Sequence, residues 1–218
     1  RNTRKLDEIT FDEMLELASQ GAQVLHNRSV ELAKKFRVNL EVVSSLERKP
    51  GTKVKEVTKV EKTNIAGVAK DTSIARVALI GLQHNPGVAF QVFDLLSKHN
   101  INVDIILQSI GREDTKDISF TVHKKDLEEA ESILNENKEA LRFDHIETDS
   151  HIGKVSIVGA GLMTNCGMAA RMFEALYDAG INIQMIATSE IRISVLVNKD
   201  DANRAIKVVH DKFFGNED

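Results

Sequence analysis

The 218-residue sequence is short of most residue types that mark special chemistry. Its single cysteine, Cys166, cannot close an internal disulfide, so a reducing, cytoplasmic setting is expected. With no second cysteine, and seven histidines that show no paired spacing, no metal site is expected. There is no Trp, one Tyr and nine Phe, too few rings for base- or sugar-stacking platforms. The net charge of −4 lacks the basic footprint of a nucleic-acid binder. No apolar run approaches the ~18 residues of a membrane span, and the basic start Arg1–Lys5 leads into no signal-type apolar stretch. The phosphate-loop and nucleophile-elbow patterns are missing too. Gly159-Ala160-Gly161 begins like a dinucleotide fingerprint, but Thr164 stands where the third glycine belongs. What is left is a soluble, mildly acidic, aliphatic protein, 42% hydrophobic and 28% charged. It is long enough for one large domain or two small ones.

Along the chain, residues 7–36 read as helical, with Phe11, Met14, Leu15 and Ala18 on one face and Val30, Leu32, Ala33 and Phe36 in a second stretch. Val38–Val43 reads as a short strand broken by Pro50-Gly51. The charged stretch Lys53–Lys62 reads as a connector or exposed element, and Asn64–Lys70 as a strand.

The remainder is an internal repeat. Arg76–Gly81, Asn85-Pro86-Gly87, a helix through Val88, Val92, Phe93, Leu95 and Leu96, and Ile101–Ile105 form the first copy. Lys154–Gly159, Asn165-Cys166-Gly167, a helix through Met168, Met172, Phe173, Ala175 and Leu176, and Ile181–Met185 form the second. Fifteen positions separate Gly87 from Asn102, and fifteen separate Gly167 from Asn182. Each copy continues with a strand (Ile118–Val122, Ile193–Val197) and a helix opened by Asp126 or Asp201, whose carboxylates are expected to cap free N–H groups. Arg142–Thr148 supplies a fourth strand to the first copy; the second copy has none. A sheet lacking its last strand leaves a bare edge. Asn64–Lys70 is therefore expected to complete the second sheet, with copy one inserted in domain two and the two sheets close together. The fold class is α+β, with split-βαβ, ferredoxin-like βαββαβ units.

Three places carry candidate chemistry. The turns His84–Gly87 and Thr164–Gly167 open helices, whose free N–H groups suit a carboxylate; an ordinary strand–helix turn is the plain alternative. Asn102-Val103-Asp104 and Asn182-Ile183-Gln184 are read as the strands facing those turns. Asp104 either pairs with an ammonium or points to solvent, while Gln184 has no charge, so the pockets are expected to differ in ligand. Gln108-Ser109 and Thr188-Ser189-Glu190 end the second strands. Cys166 at a helix start reads mainly as a small turn residue.

Phe11–Ser19 (FDEMLELAS) with Gly21–Val30 (GAQVLHNRSV) resembles the end of the aspartokinase catalytic domain. Val155–Gly161 (VSIVGAG) and Ile181 through Ser194 resemble the second regulatory ACT domain of the same family. The resemblance implies a kinase-domain remnant and linker at 1–54, a first ACT domain at 75–149, and a second at 62–71 plus 152–214. In the family an amino-terminal domain phosphorylates aspartate with ATP and Mg, and two ACT domains bind lysine, threonine or both and inhibit it. Most of the kinase domain is not in this chain, so the resemblance implies no catalytic residue, no cofactor and no phosphoryl transfer by this chain alone. The chain begins at Arg1 rather than Met, which points to a kinase part before it. Gln23 and Val24 fall where relatives lie near the nucleotide, Gln23 replacing a lysine.

By resemblance the first effector pocket maps onto Leu82, His84, Asn85, Gly87, Val88, Ala89, Asn102, Val103, Asp104 and Gln108. The backbone at 87–89 would take the effector carboxylate and Asp104 its ammonium. The second maps onto Met163, Thr164, Cys166, Met168, Asn182, Ile183, Ser189 and Glu190. The implied partners are an amino-acid effector and either a second copy, through paired ACT edge strands, or a full-length kinase subunit. A free-standing ACT-type sensor of another enzyme or of transcription is the alternative.

Overall fold

The computed structural model describes residues 5–56, 65–83, 85–110, 115–162 and 164–215. The chain forms two compact units, one of residues 1–71 and 153–218, the other of residues 72–152.

The first unit opens with strand β1 (Glu8–Thr10) and helices α1 (Phe11–Ser19) and α2 (Asn27–Lys35). The helical reading of residues 7–36 therefore loses its first turn to a strand and its middle to the Gly21–Leu25 break. Thr10 sets the boundary with a capping box. Its hydroxyl accepts the Glu13 N–H at 3.1 Å, and the Glu13 carboxylate accepts the Thr10 N–H at 3.2 Å. His26 caps α2, its Nδ1 accepting the Arg28 N–H at 3.3 Å. Strands β2 (Leu40–Val42) and β3 (Thr52–Lys55) follow. Of the stretch Lys53–Lys62, residues 57–62 lie outside the described residues, and residues 53–55 are not a connector: β3 is the central strand of a sheet ordered β1-β3-β2, parallel to β1 and antiparallel to β2. Val54 at its middle is fully buried among Ile9, Phe11, Met14 and Val30. A residue walled in on both sides by strands needs no hydrophobic neighbours in sequence, which is why the charged surroundings misled the reading. Strand β4 (Gly67–Asp71) closes this part of the chain.

The second unit contains β5 (Ile74–Gln83), α3 (Val88–Lys98), β6 (Val103–Ile110), β7 (Thr115–His123), α4 (Leu127–Glu136), α5 (Lys138–Leu141) and β8 (His145–Asp149). Its sheet runs β6-β7-β5-β8 with every pair antiparallel. Val92 and Leu96, one turn apart on α3, are fully buried with Leu79, Leu82, Phe120 and Leu134. Phe93 meets Phe120 edge-on at 5.6 Å.

The chain then returns to the first unit through β9 (Ile152–Val158), α6 (Met168–Asp178), β10 (Met185–Thr188), β11 (Arg192–Asn198) and α7 (Ala202–Phe214). Its sheet runs β10-β11-β9-β4. This is the order of the inserted sheet, with β4, from before the first repeat, in the place of β8. Gly67 through Asp71 pair with Val158 through Lys154. The strand expected to complete the second sheet does so, and each unit carries a ferredoxin-like sheet. Met168, Met172, Ala175 and Leu176 form the buried stripe of α6.

Asp126 and Asp201 do not cap in the expected way, since neither side chain accepts a helix N–H. A single 3-10 turn precedes each helix, and the caps sit at its start. His123 Nδ1 accepts the Lys125 N–H at 3.3 Å, and Asn198 Oδ1 accepts the Asp200 N–H at 3.0 Å. Asp201 instead pairs with Arg204 at 2.7 Å.

Candidate functional site

The two turns singled out in the sequence share one backbone design. Gly87 and Gly167 precede α3 and α6 with φ of 92° and 88°, a left-handed conformation in which a Cβ is strained. Each carbonyl accepts the first helical N–H, from Gln91 at 3.0 Å and Arg171 at 2.9 Å. The first-turn N–H groups that follow, at Val88-Ala89 and Met168-Ala169, have no partner within their helix and point along its positive end. Both helices have 11 residues and end alike. Asn100 and Gly180 are left-handed, at φ of 57° and 64°, and Ile101 and Ile181 donate back to Leu96 and Leu176 at 3.0 and 2.9 Å. This is a Schellman end. The equal Gly-to-Asn spacing is thus a left-handed start, an equal helix and the same stop.

That construction separates residues which the sequence reading put face to face. Both β5 and β6 lie antiparallel to β7, so they run the same way. Val103 pairs with Val122, which pairs with Ala75 at the start of β5. Ile110 pairs with Lys116, which pairs with Leu82 beside the turn. Asn102, Val103 and Asp104 therefore lie at the opposite end of the sheet from Asn85, Gly87, Val88 and Ala89. Gln108, level with Ile118 and Leu79, lies between them. Two cavities reflect the split. One of about 200 Å³ is lined by Gln83, Asn85, Pro86, Val88, Gln91 and Arg142. The other, about 440 Å³, runs between α3 and β6 along Phe93, Ser97, Asn102, Val103 and Ile106. Asp104 and Gln108 are exposed, while Leu82 is fully buried in the core. His84 lies outside the described residues, as does Met163.

In the second repeat Thr164 and Cys166 are exposed on the turn, and Met168 is buried in the core. Ser189 and Glu190 lie at the same end as the turn, because Gly159 donates to the Ile191 carbonyl at 3.0 Å. Asn182 and Ile183 precede β10, which has four residues against eight in β6. Gln184 still donates to Leu196 at 2.8 Å.

Gln23 is left-handed at φ 52°, and Val24 is 55% exposed. An uncharged amide and an open valine place no positive charge there to pair with a phosphate. Among the described residues no group of three or more His, Cys, Asp or Glu is disposed to hold a metal ion. Among the described residues no helix is long and apolar enough to cross a membrane.

The sequence reading missed two sets of residues. Arg142, at φ 55°, brings a guanidinium to the cavity beside the first turn, where Nη1 donates to Gln83 Oε1 at 3.2 Å. The sequence reads Arg142 as the first residue of the strand Arg142–Thr148, but it ends α5 and β8 begins only at His145. Glu13, Glu16 and Gln20 of the α1 region bond to the second repeat. Their spacing of three and four marks a polar helix face, which reads as solvent-exposed when no partner is known.

The profile of the ACT domain matches residues 77–137 and 155–213. Aspartokinase 2 of Bacillus subtilis is 45% identical over 214 residues, 98% of this chain and 52% of that protein. The chain thus spans about half the length of the curated relatives it matches. Among solved structures, the ligand-free regulatory subunit of aspartate kinase from Thermus thermophilus is 38% identical with a TM-score of 0.65, covering 69% of this chain and 99% of that one. Aspartokinase III of E. coli, in complex with lysine and aspartate in its T-state, is 27% identical with a TM-score of 0.76, over 97% of this chain and 47% of that one.

Proposed function

The chain belongs to the ACT domain family, and on that premise we propose that it is the carboxy-terminal regulatory part of an aspartokinase. It binds lysine, threonine or both and so sets the rate at which a kinase part phosphorylates aspartate with ATP and Mg. The likeness to aspartokinases over nearly the whole chain supports this, as does a related enzyme solved with lysine. Nucleotide and metal are assigned to the kinase part, since Gln23 lacks the charge of the lysine it replaces.

The observation that carries the reading is the split of the first pocket. The turn at 85–89 and the strand start at 102–104 recognise opposite ends of an amino acid, yet one chain holds them at opposite ends of a sheet. Strand β6 is an edge of that sheet, with Ile106 and Leu107 53% and 46% exposed. Exposed apolar edges invite pairing. If β6 pairs antiparallel with β6 of a second copy, Asn102–Asp104 of one come level with the turn of the other. The effector carboxylate then meets the α3 N-terminus of one copy, and the side-chain ammonium of lysine meets Asp104 of the partner. An effector binding that arrangement better than any other shifts the population towards it, with a coupling of about 1–3 kcal/mol.

Light scattering tests the pairing: a dimer is expected, and a chain that stays monomeric at high concentration with and without lysine and threonine contradicts it. Asp104→Ala is expected to weaken the lysine response far more than the threonine response in calorimetry. Equal loss removes Asp104 from the ammonium role.

A further inference from the structure

The two repeats differ in what holds their pocket loops. In the inserted unit β5 continues past Gly81 through a bulge to Gln83. The Gly81 N–H is accepted by Asp117 Oδ1 at 2.9 Å, on the neighbouring strand of the same unit. In the second repeat β9 stops at Val158. There the amide that opens the loop towards Thr164 and Cys166, that of Ala160, donates at 3.0 Å to Glu13 Oε1 on α1.

Glu13 is only 8% exposed. A buried carboxylate is costly unless donors surround it. Its other oxygen, Oε2, accepts the Thr10 N–H at 3.2 Å and the Thr10 hydroxyl at 2.9 Å. One carboxylate thus starts α1 and holds the pocket loop. One turn along, Glu16 Oε1 accepts from Arg192 Nη1 at 2.9 Å. Arg192 closes the turn carrying Ser189 and Glu190, whose Ser189 N–H donates to its carbonyl at 2.8 Å. Gln20 donates to the same Glu16 oxygen at 3.0 Å and accepts from the Ser156 hydroxyl at 3.2 Å. The Ser156 and Ser194 hydroxyls share a bond at 2.7 Å. Gln20 is 2% exposed, and both serines are fully buried. Charged partners in a dry seam make the stronger hydrogen bonds.

We propose that Glu13 is a positioning residue for the second pocket. That pocket is completed by α1, which grips both of its walls through Glu13 and Glu16, whereas the first pocket braces its own loop. This rests on the reading that Thr164, Cys166, Ser189 and Glu190 line an effector site. It makes the segment before the ACT repeats a component of the second pocket.

Amide hydrogen exchange on the whole chain, without added amino acid, tests it. Glu13→Ala is expected to speed exchange at Ala160 by about tenfold or more, the worth of one hydrogen bond to a charged group, and to leave Gly81 unchanged. Asp117→Ala is expected to do the reverse. Glu13→Gln keeps an acceptor oxygen and is expected to retain most of the protection. Thr10→Ala removes the cap but not the acceptor and is expected to leave Ala160 protected. Should Glu13→Ala not fold, Glu16→Ala spares the capping box and is expected to loosen the Ser189–Arg192 turn while leaving Ala160 protected. Unchanged protection at Ala160 in Glu13→Ala, or Ala160 and Gly81 loosening together, overturns the proposal. Calorimetry with lysine and threonine on the same proteins separates the two readings: no binding of either overturns the effector assignment, and the ligand-free exchange pattern still decides the role of Glu13.

Discussion

Glycine positions in this chain differ in what a methyl group would do to them. At Gly87 and Gly167 an added Cβ meets nothing within 4 Å, so only the left-handed backbone resists it. Alanine at either is expected to cost about 1–2 kcal/mol. Gly81 is left-handed at φ 73°, and a Cβ there also runs into the Asp144 carboxylate. Gly81→Ala is expected to cost more than Gly87→Ala in urea denaturation; the reverse order would contradict this account of the bulge. Gly87 and Gly167 were legible because Asn and Gly at matched places in two repeats mark a turn. Gly81 as a bulge was not, since its strain depends on Asp144 and on the Asp117 acceptor, both distant in sequence. The capping roles given to Asp126 and Asp201 failed for a related reason. A 3-10 turn before each helix moves the cap three residues back, to His123 and Asn198, and hydrophobic period does not reveal such a turn.

Helices α6 and α7 show how an element-level tie responds to pH. Lys212 Nζ lies 2.8 Å from Glu174 Oε2. This hydrogen bond first, then the charge of Lys212, holds the Glu174 carboxyl below its ordinary 4.5, desolvation opposing weakly and Arg171 assisting. A carboxyl lowered in the folded state stabilises it above that ordinary value and loses the contribution as pH falls through the folded value. An NMR titration is expected to place the Glu174 midpoint below 4.5 and to return it to the ordinary range in Lys212→Met. A midpoint that Lys212→Met does not move would show that the pair is not formed in solution. Exposed as the pair is, its contribution to stability is small. At this scale the sequence was most readable, because the repeat supplies each helix and strand twice, and the equal spacing encodes one left-handed start, an 11-residue helix and one Schellman stop. It was least readable at β3, where four residues in a charged setting become a central strand through a parallel partner 45 residues away, and at β10, where Asn182 and Ile183 stay outside the strand.

For the molecule as a whole, the missing fourth strand of the second repeat was enough to place β4 in its sheet, because a bare edge is a physical debt that some other strand must cover. The placement of the first pocket's residues was not legible, because strand direction and register decide which end of a sheet a residue occupies, and neither is written in a spacing. Titration calorimetry of the chain with lysine, threonine and ATP addresses the central claim most directly. Binding of lysine or threonine is expected, with a rise in Tm by mass action and no heat from ATP. Heat from ATP with none from either amino acid would contradict the account.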